Sequence, residues 1–177
     1  MEKIFYVRRN EFENSLCAVR TILAKYFGIQ NPVILRTENG KPYLKDNAVY
    51  FSVTHTKDAL FLAFCDENVG IDAEYTEKNV DFLPIIKRFS ALERKEIVDK
   101  QAFLRNFTAK ESAVKWLGGT LARDFRKLQF INGKISYGEI ELPTKTVFIP
   151  LNNYIVAVTS ERDFSSVEII VDIAKNG

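Results

Sequence analysis
One histidine, one tryptophan, one methionine and two cysteines are all that 177 residues hold of these side chains. With His55 as the lone imidazole, a histidine-rich metal centre is excluded. Cys17 and Cys65 lie in apolar surroundings without CxxC or metal-ligand spacing, so they read as two buried free thiols in a reducing compartment and not as a disulfide framework. Neither sign of charge dominates: 25 Lys and Arg stand against 23 Asp and Glu, for a net charge of +2 and a pI near 8.4. Nucleic acid is therefore not the expected partner, although local basic clusters could still hold phosphate. No apolar run is long enough for a signal peptide or a membrane-spanning helix, and a cytoplasmic protein is expected. Five prolines and eight glycines form no low-complexity linker. What is plentiful is apolar bulk, 46% of residues with 14 phenylalanines, enough for one large domain or two small halves.

The chain reads as though it contains itself twice. Asn39-Gly40-Lys41 returns as Asn132-Gly133-Lys134, and Phe61-Leu-Ala-Phe64 returns in character as Ile155-Val-Ala-Val158 at nearly the same offset. The helical segment from Ala18 to Gly28 precedes the first Asn-Gly-Lys as Ala113 to Gly118 precedes the second. Asn-Gly is also a common turn dipeptide, so chance similarity stays open. The repeat predicts an α+β fold: a pseudo-twofold pair of similar halves, each a helix packed on a small antiparallel sheet, with the site in the cleft between them. The halves would be residues 1–76 and 77–177, joined through 76–82.

Val69-Gly-Ile-Asp-Ala-Glu-Tyr75 alternates like a strand, which puts Asp72 and Glu74 on one face and Val69, Ile71 and Ala73 on the other. Two carboxylates side by side repel, and a hard divalent cation such as Mg²⁺ would compensate them. A solvent-facing edge strand is the alternative. Phe107-Thr-Ala-Lys-Glu-Ser-Ala-Val-Lys-Trp-Leu-Gly118 reads as a helix stopped by Gly118-Gly119, with Glu111 and Lys115 on one face. Here too a plain alternative exists, a capping box formed by Thr108 and Glu111. Before them, Ala48–Thr54, Ala59–Cys65 and the carboxylate strand read as a meander with a turn at His55-Thr-Lys-Asp58. His55 itself fits a hydrogen-bonded strand-end residue as well as a functional one.

Taken in order, Gly40-Lys41-Pro42, Phe51-Ser-Val-Thr-His-Thr56, Val69 to Glu74, Arg88-Phe-Ser-x-x-Glu93 and Phe107-Thr-Ala-Lys-Glu-Ser-x-x-Lys115 resemble the 4′-phosphopantetheinyl transferases, specifically the surfactin-synthetase-activating type. The resemblance runs from about residue 15 to the C-terminus. It implies transfer of the phosphopantetheine arm of coenzyme A to a serine of an apo acyl or peptidyl carrier protein, with release of adenosine 3′,5′-bisphosphate. It further implies that Asp72, Glu74 and Glu111 hold Mg²⁺ against the pyrophosphate, and that Lys115 neutralises or protonates the leaving bisphosphate. Lys41 matches a lysine near the nucleotide. Thr54 and His55 match a pair that contacts coenzyme A phosphates. Glu93 matches a glutamate sometimes assigned as general base, although Leu92-Glu-Arg-Lys-Glu96 also reads as a solvated helix face, and Glu111 or a metal-bound water could serve instead.

This chain departs from the family pattern in having Phe107 for the usual tryptophan and Thr54-His-Thr56 for Ser-His-Ser. It also lacks the long basic segment before the first helix, which leaves Arg20 as the best candidate for the 3′-phosphate. Lys87, Arg88, Arg94, Lys95 and Lys100 would give a helix over 84–100 a basic face for an acidic carrier. A monomer is expected, since the repeat supplies a cleft that relatives build between subunits. The competing readings are a non-catalytic relative that only binds carrier protein or coenzyme A, and a Mg²⁺-dependent phosphohydrolase. The first would be expected to have lost a metal ligand or Lys115, and none is lost; the second would also use three carboxylates but would have to activate water and would need no carrier-docking surface.

Overall fold
The computed structural model describes residues 1–79, 81–151 and 153–171. In chain order the elements are β1 (Lys3–Arg8), α1 (Ser15–Phe27), β2 (Ile34–Arg36), β3 (Pro42–Leu44), β4 (Tyr50–Thr56), β5 (Ala59–Cys65), β6 (Val69–Tyr75), α2 (Leu83–Ile86) and α3 (Glu93–Glu96). They continue as α4 (Lys100–Leu117), α5 (Leu121–Asp124), β7 (Leu128–Ile131), β8 (Lys134–Tyr137), β9 (Ile140–Glu141), β10 (Lys145–Leu151), β11 (Tyr154–Ser160) and β12 (Ile169–Val171). The result is a mixed α+β fold of several small sheets and few helices. Strand orders are β12-β1-β5-β4, β10-β11-β6, β2-β3 and β7-β8-β9; all ladders are antiparallel except β1 with β12.

The two long helices have clear starts and stops. Asn14 caps α1 by accepting from the amides of Leu16 and Cys17, and Asp99 caps α4 by accepting from Ala102 N–H at 2.7 Å. Both end at a glycine in the left-handed region, Gly28 (φ 67°) and Gly118 (φ 65°). After each comes a hairpin, β2–β3 and β7–β8.

β5 is apolar throughout because both its faces are covered. Leu60, Leu62 and Phe64 join the cluster under α1 with Phe5, Ile22 and Leu23, whereas Ala59, Phe61, Ala63 and Cys65 join a cluster with Ile71, Val156 and Val158. That second cluster draws on both ends of the chain. Cys65 is buried, Cys17 only half-buried, and both are free thiols.

Three expectations change. The carboxylate strand does not continue a meander: β4 and β5 pair with each other, but β6 pairs with β11, from Val69 opposite Ser160 to Tyr75 opposite Tyr154. Nor is it a wet edge, since Val69 through Ala73 are buried under α4. Residues 84–100 form no single helix; α2, with Pro84 in its first turn, and α3 are each four residues long.

Gly70 sets how closely α4 crosses β6. A Cβ there would collide with the Ser112 carbonyl oxygen and would stand 2.5 Å from the Trp116 amide nitrogen. Both obstacles are helix backbone, which cannot rotate aside. Gly70→Ala should therefore cost about 3 kcal/mol, read as a lowered urea midpoint with unchanged slope.

Candidate active site
α4 begins at Lys100, so Thr108 and Glu111 are mid-helix residues and not a capping box. Thr108 Oγ1 donates to the Leu104 carbonyl at 2.7 Å instead. The capping-box exchange occurs at Ser90 and Glu93: Ser90 N–H donates to Glu93 Oε2 (2.7 Å) and Glu93 N–H to Ser90 Oγ (3.2 Å). Glu111 lies one turn before Lys115, on the α4 face from which Lys115 reaches the carboxylate strand.

Asp72 is 3% exposed. Its Oδ1 accepts from Thr54 Oγ1 (2.9 Å) and from Lys115 Nζ (2.8 Å), and Lys115 also donates to the Ile71 carbonyl (3.0 Å). Its Oδ2 is buried and has no hydrogen-bond partner among the described residues. Glu74, next on the same face, is ion-paired with Lys78. Burial pushes the Glu74 carboxyl up; Lys78 opposes this, and repulsion from Asp72 adds to it. Glu111 is pushed up to about 8, first by burial, then by the negative charge of Asp72, with Lys115 opposing and Glu74 adding. Three carboxylates and two ammonium groups thus act on one another across the crossing of β6 and α4.

The donor set suits a hard divalent cation. All the carboxylate oxygens are of the right type, one of them is buried without a partner among the described residues, and the third carboxyl is pushed up by burial and by the charge of Asp72, both of which a cation would offset. Asp72, Glu74 and Glu111 do not converge to a common ligand spacing; Lys115 is paired with Asp72 and Lys78 with Glu74. Among the described residues, the group of three ligand-type side chains that does meet that spacing is Glu2, Cys65 and Asp66, where Asp66 is already paired with Arg162.

Two clefts flank the C-terminal end of α4. A cavity of about 210 Å³ is lined by Asn39, Gly40, Lys41, Ser52, Lys115 and Gly119, among others. A larger one, about 410 Å³, lies beyond Lys41 between Tyr43, Phe51, Asn68 and Trp116. Lys41 borders both. Its ammonium donates to Asn68 Oδ1 (2.7 Å) and the Val69 carbonyl (3.2 Å), and burial pulls it down to about 8. It is no free turn lysine.

The remaining candidates are dispersed. Thr54 and His55 are strand neighbours and point to opposite faces: Thr54 goes inward to Asp72, while exposed His55 lines another cleft with Arg9, Asn14 and Ser15 at the start of α1. Arg20 is exposed on α1. Glu93 is wholly buried, not on a solvated face; its carboxylate meets Lys110 Nζ at 3.0 Å and accepts from the amides of Ser90 and Phe130. Lys110 stacks over the rings of Phe89 and Phe125 at 4.6 and 4.3 Å. The sequence reading passed over Lys78, whose only signal was its place four residues after Glu74, and Lys110, which sat unassigned inside a motif.

A family model described as the 4′-phosphopantetheinyl transferase superfamily matches residues 68–159, from the turn before the carboxylate strand through the strand that pairs with it. No individual curated protein matches the chain. Among the described residues, no helix is long and apolar enough to cross a membrane.

Proposed function
The chain belongs to the 4′-phosphopantetheinyl transferase superfamily, and from that premise we propose that it acts as a surfactin-synthetase-activating type enzyme. It moves the 4′-phosphopantetheine arm of coenzyme A to a serine hydroxyl of an apo acyl or peptidyl carrier protein and leaves adenosine 3′,5′-bisphosphate. The observation that carries the reading is Lys115 of α4 reaching Asp72 of β6, with Glu111 one turn before Lys115 and Glu74 beside Asp72 on the same strand face.

In this reading Asp72, Glu74 and Glu111 hold Mg²⁺. When bound, the ion supplies a charge sink for the pyrophosphate. The chain's own residues do the rest. Lys115, fixed by Asp72 and the Ile71 carbonyl, is placed to neutralise the leaving bisphosphate or give it a proton. Lys41 and the 210 Å³ cleft take the nucleotide side of coenzyme A. His55, turned away from Thr54, serves coenzyme A only through the cleft beside α1, which Arg9 also lines. The proton of the attacking serine goes to Glu111, since Glu93 has both oxygens engaged in the core.

The repeated order of long helix, glycine stop and hairpin supports two related halves, residues 1–76 and 77–177, arranged about a pseudo-twofold. Both sides of the cleft come from one chain, so the enzyme works as a monomer, and we place it in the cytoplasm. Exposed Leu83, Leu92 and Val98 stand among Lys87, Arg94 and Lys95, which suits an acidic carrier helix with an apolar edge. Incubation with coenzyme A, MgCl₂ and several apo carrier proteins should add the mass of one phosphopantetheine to the carrier serine. Coenzyme A binding without an adduct on any carrier would favour a binding-only relative; release of phosphate without an adduct would favour a hydrolase.

A further inference from the structure
Each carboxylate of β6 has its own ammonium, but the two are held differently. Lys115 reaches Asp72 from α4 and is anchored a second time on the Ile71 carbonyl. Lys78 comes from the turn that ends β6, pairs with Glu74 four residues earlier, and has no second acceptor among the described residues. Its side chain is 33% exposed, so it has a path to solvent. The charge of Lys78 is also felt at Glu111, where it favours the ionised carboxylate. One ammonium therefore serves two of the three acidic groups.

We propose that Lys78 is a resident counter-ion: it occupies the acidic cleft in place of a divalent cation, is released from Glu74 when the cation binds, and so sets the affinity of the site. This role rests on the cleft being a metal site. Without Lys78 or a cation, Glu74 would stand beside Asp72 on one strand face with Lys115 alone as compensation. The corollary is competition, because a dication held by Glu74 and the Lys78 ammonium on the same carboxylate repel each other.

Calorimetric titration of MgCl₂ and of MnCl₂ into the full chain at pH 8, with and without coenzyme A, tests the idea. Lys78→Gln should bind each cation about fivefold more tightly than wild type, the scale expected for losing one partly exposed ion pair. Lys78→Arg should stay within about twofold of wild type, since the charge persists. In wild type, acetylation of Lys78 by an N-hydroxysuccinimide ester, followed by mass spectrometry, should speed up at saturating MgCl₂ as the ammonium leaves Glu74. Unchanged or weaker binding by Lys78→Gln, or an acetylation rate indifferent to the cation, overturns the counter-ion role while leaving the metal site standing. Wild type that takes up neither cation under either condition overturns both.

Discussion
Glu111→Gln should lower carrier-protein modification about 10³-fold and, at the same time, make the metal-free protein more stable at alkaline pH. The activity loss follows from removing the one carboxylate that α4 contributes to the cleft, at the position where charge is handled during transfer. The stability gain follows from why Glu111 is pushed up to about 8: burial and the charge of Asp72 make its ionised form costly in the fold. Relative to an ordinary carboxyl near 4.5, the folded protein binds more protons between pH 4.5 and 8 than the unfolded chain. Stability contributed by neutral Glu111 is thus present at low pH and is lost as pH rises through that window. Gln cannot ionise, so this loss disappears. Melting temperatures of the metal-free proteins measured from pH 5 to 9 should converge at the acid end and separate by several degrees at pH 8 to 9, with the variant higher. MgCl₂ should raise the wild-type value more at pH 8 than at pH 5, and should do little for the variant. A variant that keeps near-wild activity, with a pH profile of stability parallel to wild type, would remove Glu111 from the chemistry.

The cleft was partly legible because its two halves obey local rules. Asp72 and Glu74 share a face by strand alternation, and Glu111 and Lys115 share one by helix spacing; both patterns survive whatever the segments pack against. What was not legible was the pairing. β6 could as well have closed a meander with β5, since its alternation specifies a buried face but not a partner, and its actual partner β11 lies some 85 residues on (Asp72 opposite Ala157). The helix boundary failed for a different reason. Thr108-x-x-Glu111 and Ser90-x-x-Glu93 are the same capping pattern, and only Asp99 upstream, with an uninterrupted run of helix formers after it, decides that the first is interior. Gly70 carries the crossing distance of α4 and β6, yet a single glycine in a strand announces a close approach without saying to what. The charge run at 92–96 misled most. Three of its residues are solvated or half so, and the fourth, Glu93, turns inward to meet Lys110.

That inward turn leads to the largest expected effect on folding. Glu93→Ala should cost about 3–5 kcal/mol, a third or more of the stability of an ordinary domain, because it strands the Lys110 ammonium between Phe89 and Phe125 with no carboxylate and removes the acceptor of the Phe130 and Ser90 amides. Burial already pulls Lys110 down, opposed chiefly by Glu93, so removing the carboxylate removes what favours the charged ammonium there. Glu93→Gln combined with Lys110→Met should recover part of the loss: the pair's charges vanish together, methionine keeps the packing between the rings, and the glutamine carbonyl oxygen still accepts from one of the two amides, Phe130 or Ser90, that the two carboxylate oxygens serve. The double variant also separates the two roles that Glu93 could have. If it anchors α4 and nothing more, the refolded double variant should modify carrier protein within about tenfold of wild type and keep the same alkaline limb in its pH–rate profile. If it takes the serine proton, turnover should fall by about 10²–10⁴-fold although the fold is restored, and the pH dependence should flatten. Urea midpoints and pH–rate profiles of the two variants together decide it, since a carboxylate with both oxygens held in the core has no free position from which to accept a proton.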